Sequence, residues 1–360
     1  VENLVVNPEF WRGKNVLLTG HTGFKGSWLA IWLKNMQANV FGLALSPATK
    51  PSLFELAGIE NLINSKIGDI TDLAVVRSCF QESQPEIVIH LAAQPLVRYG
   101  YLNPLQTYQT NVLGSLNVLE CIRESDSVKA VVMVTTDKCY ENREWLWSYR
   151  ENDMLGGYDP YSSSKACMEL LVAAYRQSYF GHSGSIALAT VRAGNVIGGG
   201  DWAEDRLLPD LIRAVTGKQT LIIRNPQSIR PWQHVLEPLS GYLRLAERLF
   251  SDGPEFAEAW NFGPDPESAQ NVQWIVEHVT KYWPDLKCQI IPDKQLHEAH
   301  VLKLDCSKAQ ARLSWRGRWQ LPEALTKTLD WYQQQMAGAN MHQFTLKQIA
   351  EYEQMAGSNG

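Results

Sequence analysis

The chain is expected to fold as an α/β protein, a Rossmann-type doubly wound parallel sheet with a smaller C-terminal lobe. Three observations predict this. From Asn15 onward, short β-branched apolar runs alternate with longer segments of helical periodicity, the pattern of a parallel sheet wrapped by helices on both faces. A glycine-rich turn, Thr19-Gly20-His21-Thr22-Gly23-Phe24-Lys25-Gly26, lies between the first apolar run and the first helical segment. After Arg192 the alternation is broken by Gly198-Gly199-Gly200, Gly253-Pro254 and Gly263-Pro264, where loops of a second lobe are expected.

Strands are predicted over 15–19, 39–44, 66–67, 86–91, 130–135 and 185–191, because their near-continuous apolar character suits burial on both sides. Helices are predicted over 26–36, 73–82, 111–124 and 164–180, where apolar residues recur at helical spacing. Residues 1–192 are assigned to the nucleotide-binding domain and 193–335 mainly to the smaller lobe, with helices over 207–216 and 239–250. Residues 235–262 are expected to return to the first domain, through Asn261-Phe262 among others. The polar tail 336–360 either frays or forms an extra helix.

Composition excludes several classes of function. Thirty-three basic residues stand against 38 acidic ones with no long block of either sign, so there is no electrostatic footprint for nucleic acid or an anionic membrane. No apolar stretch reaches the ~20 residues that cross a bilayer, and the first eleven residues lack a basic segment followed by an apolar one, so a cytoplasmic protein is expected. The six cysteines are scattered without metal-ligand spacing, and no metal site is expected. Cys139 is read as packing, and the thirteen tryptophans, Trp28 and Trp32 among them, as core.

The glycine-rich turn points to a dinucleotide. Its glycines permit a tight turn and close approach of backbone to a pyrophosphate, and the helix that follows offers unpaired N–H groups. Gly20, Thr22, Gly23, Phe24 and Gly26 are therefore candidate cofactor contacts. The acidic residue expected at the end of the second strand, where it would hold the adenine ribose, is replaced by Leu43-Ala44-Leu45-Ser46. No arginine or lysine stands at Ser46 to receive a 2′-phosphate, although Lys50 is not far along the chain, and NAD is favoured over NADP. Asp69 and Ile70 are candidates to meet the adenine ring, with helix capping as the alternative for Asp69 and Asp72 competing for that job.

Tyr161 and Lys165, four residues apart, fall on one helical face. A lysine there is expected to lower the phenol pKa from ~10, so that it can take a proton from a sugar hydroxyl near neutrality. With His90-Leu91-Ala92-Ala93-Gln94, Asn111, Thr135-Thr136-Asp137-Lys138 and Arg192-Ala193-Gly194-Asn195-Val196, this pair resembles the extended short-chain dehydrogenases/reductases, and among them the nucleotide-sugar 4,6-dehydratases. The wording Gly20-His21-Thr22-Gly23-Phe24-Lys25-Gly26-Ser27-Trp28, Thr136-Asp137-Lys138-Cys139-Tyr140 and Arg230-Pro231-Trp232-Gln233-His234-Val235 is similar to the branch of that family acting on CDP-glucose.

The resemblance implies a lyase that stays bound to NAD. Tyr161 would be the base at the 4-hydroxyl as hydride leaves carbon 4, Lys165 would hold the nicotinamide ribose, Thr136 would bond the 4-oxygen and Asp137 would protonate the departing 6-hydroxyl. Relatives that use dTDP-sugars carry glutamate, the carbon 5 base, where this chain has Lys138; Lys138 either takes that role or pairs with Asp137 or a pyrophosphate. Leu91, Ala92, Ala93 and Asn111 are implied cofactor contacts, and Gln94, Asn195, Arg206, Arg230 and His234 substrate contacts. For Arg206 a surface salt bridge is the alternative. His90 is left out of catalysis. The resemblance further implies a homodimer, or a dimer of dimers, through the helices 111–124 and 164–180, and a product destined for deoxyhexoses of a bacterial surface polysaccharide such as the lipopolysaccharide O-antigen. A nucleotide-sugar 4-epimerase and a silent NAD sensor are the rival readings.

Overall fold

A computed structural model of the chain describes residues 6–180, 186–265, 268–291 and 302–355. Strands β1 (Asn15–Thr19), β2 (Asn39–Ala44), β3 (Asn64–Ile67), β4 (Ile87–His90), β5 (Ala130–Val134), β6 (Ala187–Arg192) and β7 (Ala259–Asn261) form one sheet in the order β7-β6-β5-β4-β1-β2-β3. Every pairing is parallel. The order reverses direction between β1 and β4, which opens a crevice at the carboxyl ends of those two strands. Ser185, the expected start of the sixth strand, lies outside the described residues.

Alternation along each strand decides what covers each face. Val16, Leu18, Val40, Ile89 and Val132 point to one side, where Trp28, Leu29 and Trp32 of helix α1 (Phe24–Asn35) are fully buried. Leu17, Leu43, Val88, Val131 and Met133 point to the other. They meet Val76 and Phe80 of α2 (Leu73–Ser83), Val118 and Ile122 of α3 (Ser115–Arg123), and Met168 and Val172 of α4 (Pro160–Tyr175).

Helix boundaries follow their caps. Helix α1 starts at Phe24 with Gly23 as its N-cap, and α4 starts at Pro160, earlier than the periodicity suggests, because the Asp159 carboxylate accepts the Ser162 N–H and proline suits the first helical position. The segment expected as one helix over 111–124 is a π-helical turn, Gln109–Gly114, leading into α3.

The smaller lobe contains α5 (Leu207–Thr216) and three two-stranded pairings, Val196–Ile197 with Gln233–His234, Ile229–Pro231 with Ala269–Asn271, and Leu221–Ile223 with Cys288–Ile290. Between these pieces the chain revisits the sheet domain: α6 (Leu236–Asp252) lies against β5 and β6, and β7 extends the sheet beside β6. The polar tail does not fray over its described part. After α7 (Leu321–Met336), α8 (Met341–Gln354) packs on α1, with Ile349 and Tyr352 fully buried and Glu353 accepting the Trp32 indole N–H at 2.7 Å. No helix among the described residues is long and apolar enough to cross a membrane, and no disulfide joins the described cysteines.

Candidate active site

A cavity of about 610 Å³ opens at the carboxyl ends of β1, β4 and β5 and extends under the smaller lobe. The glycine-rich turn forms its floor. Gly20 has φ of +79°, and a Cβ there would sit 2.7 Å from the Ala92 nitrogen; a Cβ on Gly26 would sit 2.1 Å from the Gly20 carbonyl. Gly23 caps α1 without any side-chain hydrogen bond, which leaves first-turn N–H groups unclaimed by a capping side chain. Side chains would fill this backbone trough, so the residues present fit a dinucleotide diphosphate. Thr22 lines the same wall while its hydroxyl donates to the Leu45 carbonyl at 2.8 Å, tying the turn to the end of β2.

Phe24, Ile70, Leu91, Ala92 and Ala93 also line the cavity, as does Asp69. The capping alternative for Asp69 falls to Asp72, whose carboxylate accepts the Ala74 and Val75 N–H groups at the start of α2. Asp69 instead accepts the Thr71 N–H at 2.9 Å. Ser46 lines the wall beyond Leu45.

Thr136, Asp137, Lys138, Tyr161 and Lys165 are brought together on the opposite wall. Behind them, Glu169 of α4 accepts hydrogen bonds from Thr135, Thr190 and Arg192, with the Arg192 ion pair at 2.8 Å and both partners 3% exposed. This buried network fixes the chain as it leaves β5, and Thr136 then caps the turn Asp137–Cys139. The Thr136 hydroxyl donates to Asp137 Oδ1 at 3.0 Å and accepts the Lys138 N–H at 3.4 Å. Asp137 is 3% exposed, and its carboxylate fills the space a side chain on Gly194 would need, since a Cβ there would lie 1.7 Å from Oδ2. Cys139 is fully buried, and burial raises its thiol well above the usual range, which suits packing.

The expectation that Lys165 lowers the Tyr161 pKa is corrected. Burial pushes Tyr161 up to about 12, against a lowering hydrogen bond from Thr136. The Lys165 ammonium donates to the Val134 carbonyl at 3.1 Å and approaches the Met168 sulfur, so its hydrogen bonds go to the strand end and its own helix. Burial, then the charge of Lys25, bring Lys165 down to about 8. Lys138 lines the cavity beside Asp137, its backbone N–H donating to the Thr136 hydroxyl.

Three further expected contacts are engaged elsewhere in this structure. Asn111 does not line the cavity: its amide is bonded to both backbone groups of Gln94 and to the Ser164 hydroxyl, so it pins the loop after β4 to α4. The Gln94 amide donates to Thr107, on the short helix Pro104–Tyr108, at 2.9 Å and accepts the Leu96 N–H of its own loop. His234 is fully buried between the rings of Trp28 and Trp319, its pKa lowered by burial to about 3, and it belongs to the core. His90 is bonded to Thr19 and Ser115 inside the sheet domain, also lowered to about 3 by burial.

Asn195, Arg206 and Arg230 do line the cavity. Arg206 pairs with Asp201 at 2.9 Å, an ion pair at the cavity wall. Sequence reasoning passed over Lys25, a half-buried cation in the glycine-rich turn that faces the same space. Burial, then Arg206, lower it to about 8, opposed by Asp137 and Asp201. The signal available for it was a charged residue inside a turn that otherwise needs small ones. Arg98, on the short helix Val97–Leu102, and Arg224, just after the strand Leu221–Ile223, both paired with Asp205, line the cavity and were missed too.

Comparison with known proteins agrees with this geometry. The GDP-mannose 4,6 dehydratase family matches over residues 17–328. A CDP-glucose 4,6-dehydratase of Salmonella typhimurium is 51% identical over 97% of this chain and 98% of its own length. A dTDP-glucose 4,6-dehydratase of Haemophilus influenzae is 28% identical over 88% and 97%. Among solved structures, the dTDP-glucose 4,6-dehydratase of Bacillus anthracis in complex with NAD superposes with a TM-score of 0.75 at 19% identity, covering 92% of this chain and all of its own. The UDP-glucose 4-epimerase of Thermotoga maritima gives 0.77 at 21% identity, covering 89% and 99%. At those identities the structural likeness establishes the fold; the sequence matches establish that the chain belongs to the GDP-mannose 4,6-dehydratase family of nucleotide-sugar-modifying proteins.

Proposed function

We propose that the chain is an NAD-dependent CDP-glucose 4,6-dehydratase, converting CDP-D-glucose to CDP-4-keto-6-deoxy-D-glucose. The observation that carries the reaction type is a buried carboxyl group, Asp137, lining with Tyr161 a cavity that the dinucleotide turn also lines. A 4-epimerase has no use for an acid at the 6-oxygen. The choice of CDP-glucose rests on the full-length relative.

NAD, when bound, supplies reversible redox chemistry, accepting hydride from sugar carbon 4 and returning it at carbon 6. The turn from Gly20 to Gly26 would hold its diphosphate, Asp69 and Ile70 its adenine end, Leu91, Ala92 and Ala93 its middle, and Lys165 its nicotinamide ribose. Tyr161 takes the proton of the 4-hydroxyl, and Thr136 hydrogen-bonds the oxygen as it becomes a ketone. The ketone acidifies the carbon 5 proton, for which Lys138 is the proposed base, and Asp137 gives its proton to the departing 6-oxygen. Asn195, Arg206 and Arg230 hold the substrate diphosphate, where guanidinium forks give charge-assisted hydrogen bonds. The working form is proposed to be a cytoplasmic homodimer, with the exposed Leu113, Leu170 and Tyr179 beside α3 and α4 as its contact.

Incubation with CDP-glucose, and in parallel with dTDP-, UDP- and GDP-sugars, in deuterated water tests the reading. Loss of water with one deuterium at carbon 5, from CDP-glucose alone, is the expected outcome. A product of unchanged mass inverted at carbon 4 would mean an epimerase, and no turnover with NAD bound would mean a sensor.

A further inference from the structure

We propose that the ion pair between Asp205 and Arg224 reads the base of the nucleotide sugar: the Asp205 carboxylate accepts the 4-amino group of cytosine, and the Arg224 guanidinium donates to the ring nitrogen N3. The inference rests on the dehydratase reading above and names the residues that choose the nucleotide. The smaller lobe lends the cavity Leu207 and Pro209 from the first turn of α5, Ile222 from the strand Leu221–Ile223, and Val272. These are apolar surfaces against which a flat base can lie. Asp205 stands just before α5 and Arg224 directly after the strand, so both adjoin these surfaces, and both line the cavity.

Neighbouring aspartate–arginine pairs are closed to a ligand, and this one is open. Asp201 has both carboxylate oxygens engaged, Oδ2 by Arg206 at 2.9 Å and Oδ1 by the Ala203 N–H at 3.1 Å. Asp210 is tied to Arg213, whose other N–H groups go to the Trp202 and Ala203 carbonyls. The Asp205 pair joins Oδ1 to Nη1 of Arg224 at 2.8 Å, and Arg98 of the sheet domain approaches the same oxygen at 3.7 Å. The second oxygen of Asp205 and the remaining N–H groups of Arg224 have no partner among the described residues. With the two side chains 35% and 36% exposed, an acceptor and a donor stand side by side at the cavity wall.

That order of acceptor and donor is the complement of cytosine, which carries its 4-amino donor next to the N3 acceptor. Uracil, thymine and guanine carry the reverse, a carbonyl followed by a ring N–H. Their carbonyl would face the carboxylate and their N–H the guanidinium, leaving both protein groups unpaired where the base has displaced water. An ionised carboxylate cannot donate and a guanidinium cannot accept, so the pair cannot adapt to the wrong base as an amide side chain could.

Affinities of CDP, UDP and dTDP for the NAD-loaded protein, measured by titration calorimetry, test the assignment apart from turnover. Asp205→Ala and Arg224→Gln are each expected to cut the preference for CDP over UDP by roughly tenfold or more, through weaker binding of CDP. The diphosphate of 2-pyrimidinone riboside, which is CDP without its 4-amino group, separates base reading from a structural tie. The parent should bind it roughly tenfold or more weakly than CDP, and Asp205→Ala should bind the two within about threefold of each other. Equal losses of CDP and UDP affinity in both variants, or a preference that survives in both, would overturn the proposal. A parent protein that binds CDP no tighter than UDP would strike the choice of CDP-glucose in the functional reading, and the proposal with it.

Discussion

At the scale of single residues, the site is a contest between burial and charge. Burial and then a neighbouring cation, Arg206 for the first and Lys25 for the second, together bring Lys25 and Lys165 down to about 8. Removing the Lys25 charge should therefore raise the Lys165 pKa. In Lys25→Met, the alkaline limb of the kcat/KM profile with CDP-glucose is expected to move to higher pH; a limb that stays in place would show that Lys165 does not sense Lys25. His234 makes the opposite point. It sits in a sequence motif beside Arg230 yet packs between Trp28 and Trp319, away from the cavity. His234→Ala should cost on the order of 3 kcal/mol in urea denaturation while the KM for CDP-glucose stays within about twofold, whereas a substrate ligand would show the reverse.

At the scale of elements, Glu237 at the start of α6 joins three parts of the chain. Its carboxylate accepts the Trp319 N–H at 2.8 Å, the Arg318 N–H at 3.0 Å and the Tyr352 hydroxyl at 2.8 Å, so it binds α6 to the approach to α7 and to α8. Burial raises its pKa to about 7 against these donors. A group raised on folding binds more protons in the native state than in the unfolded one, so its contribution is fully present below about 4.5 and is lost as pH rises through about 7. Relative to Glu237→Gln, which cannot titrate, the parent protein should lose stability between pH 5 and pH 8 by on the order of 3 kcal/mol, read as the difference between the two denaturation midpoints across that range. A constant difference would place the carboxyl at an ordinary pKa.

At the scale of the whole molecule, the cavity lies between the sheet domain and a lobe made of chain that leaves and revisits the sheet. A ligand bound there is held by both, and occupancy stabilises the folded state by about 2.7 kcal/mol at a free concentration one hundred times Kd. NAD is expected to raise the thermal midpoint more than NADP at equal concentration. The end of β2 offers Ala44, Leu45 and Ser46 and no cation to neutralise a 2′-phosphate. A larger shift with NADP would reverse the cofactor assignment.

What the amino-acid sequence determined by itself was local or periodic. Apolar runs placed six of the seven sheet strands, glycines placed the dinucleotide turn, and the interval between Tyr161 and Lys165 placed both at one wall of the cavity. Such features depend on spacing along the chain, which the sequence carries directly. What only the tertiary structure decided depends on partners distant in sequence. Asn111, Gln94 and His234 are polar residues beside functional motifs, and nothing local distinguishes a ligand from a side chain whose bonds are spent on a loop or whose ring is sealed between two tryptophans. Lys25 was overlooked for the same reason, since its meaning comes from Asp137 and Arg206, more than a hundred residues away. The seventh strand and the packed C-terminal helix are further cases: three residues beside β6 and a polar-looking segment over α1 become structure only when the surface they cover exists. The tyrosine pKa moved opposite to the expectation because desolvation is a property of the folded interior, and spacing to a lysine says nothing about it.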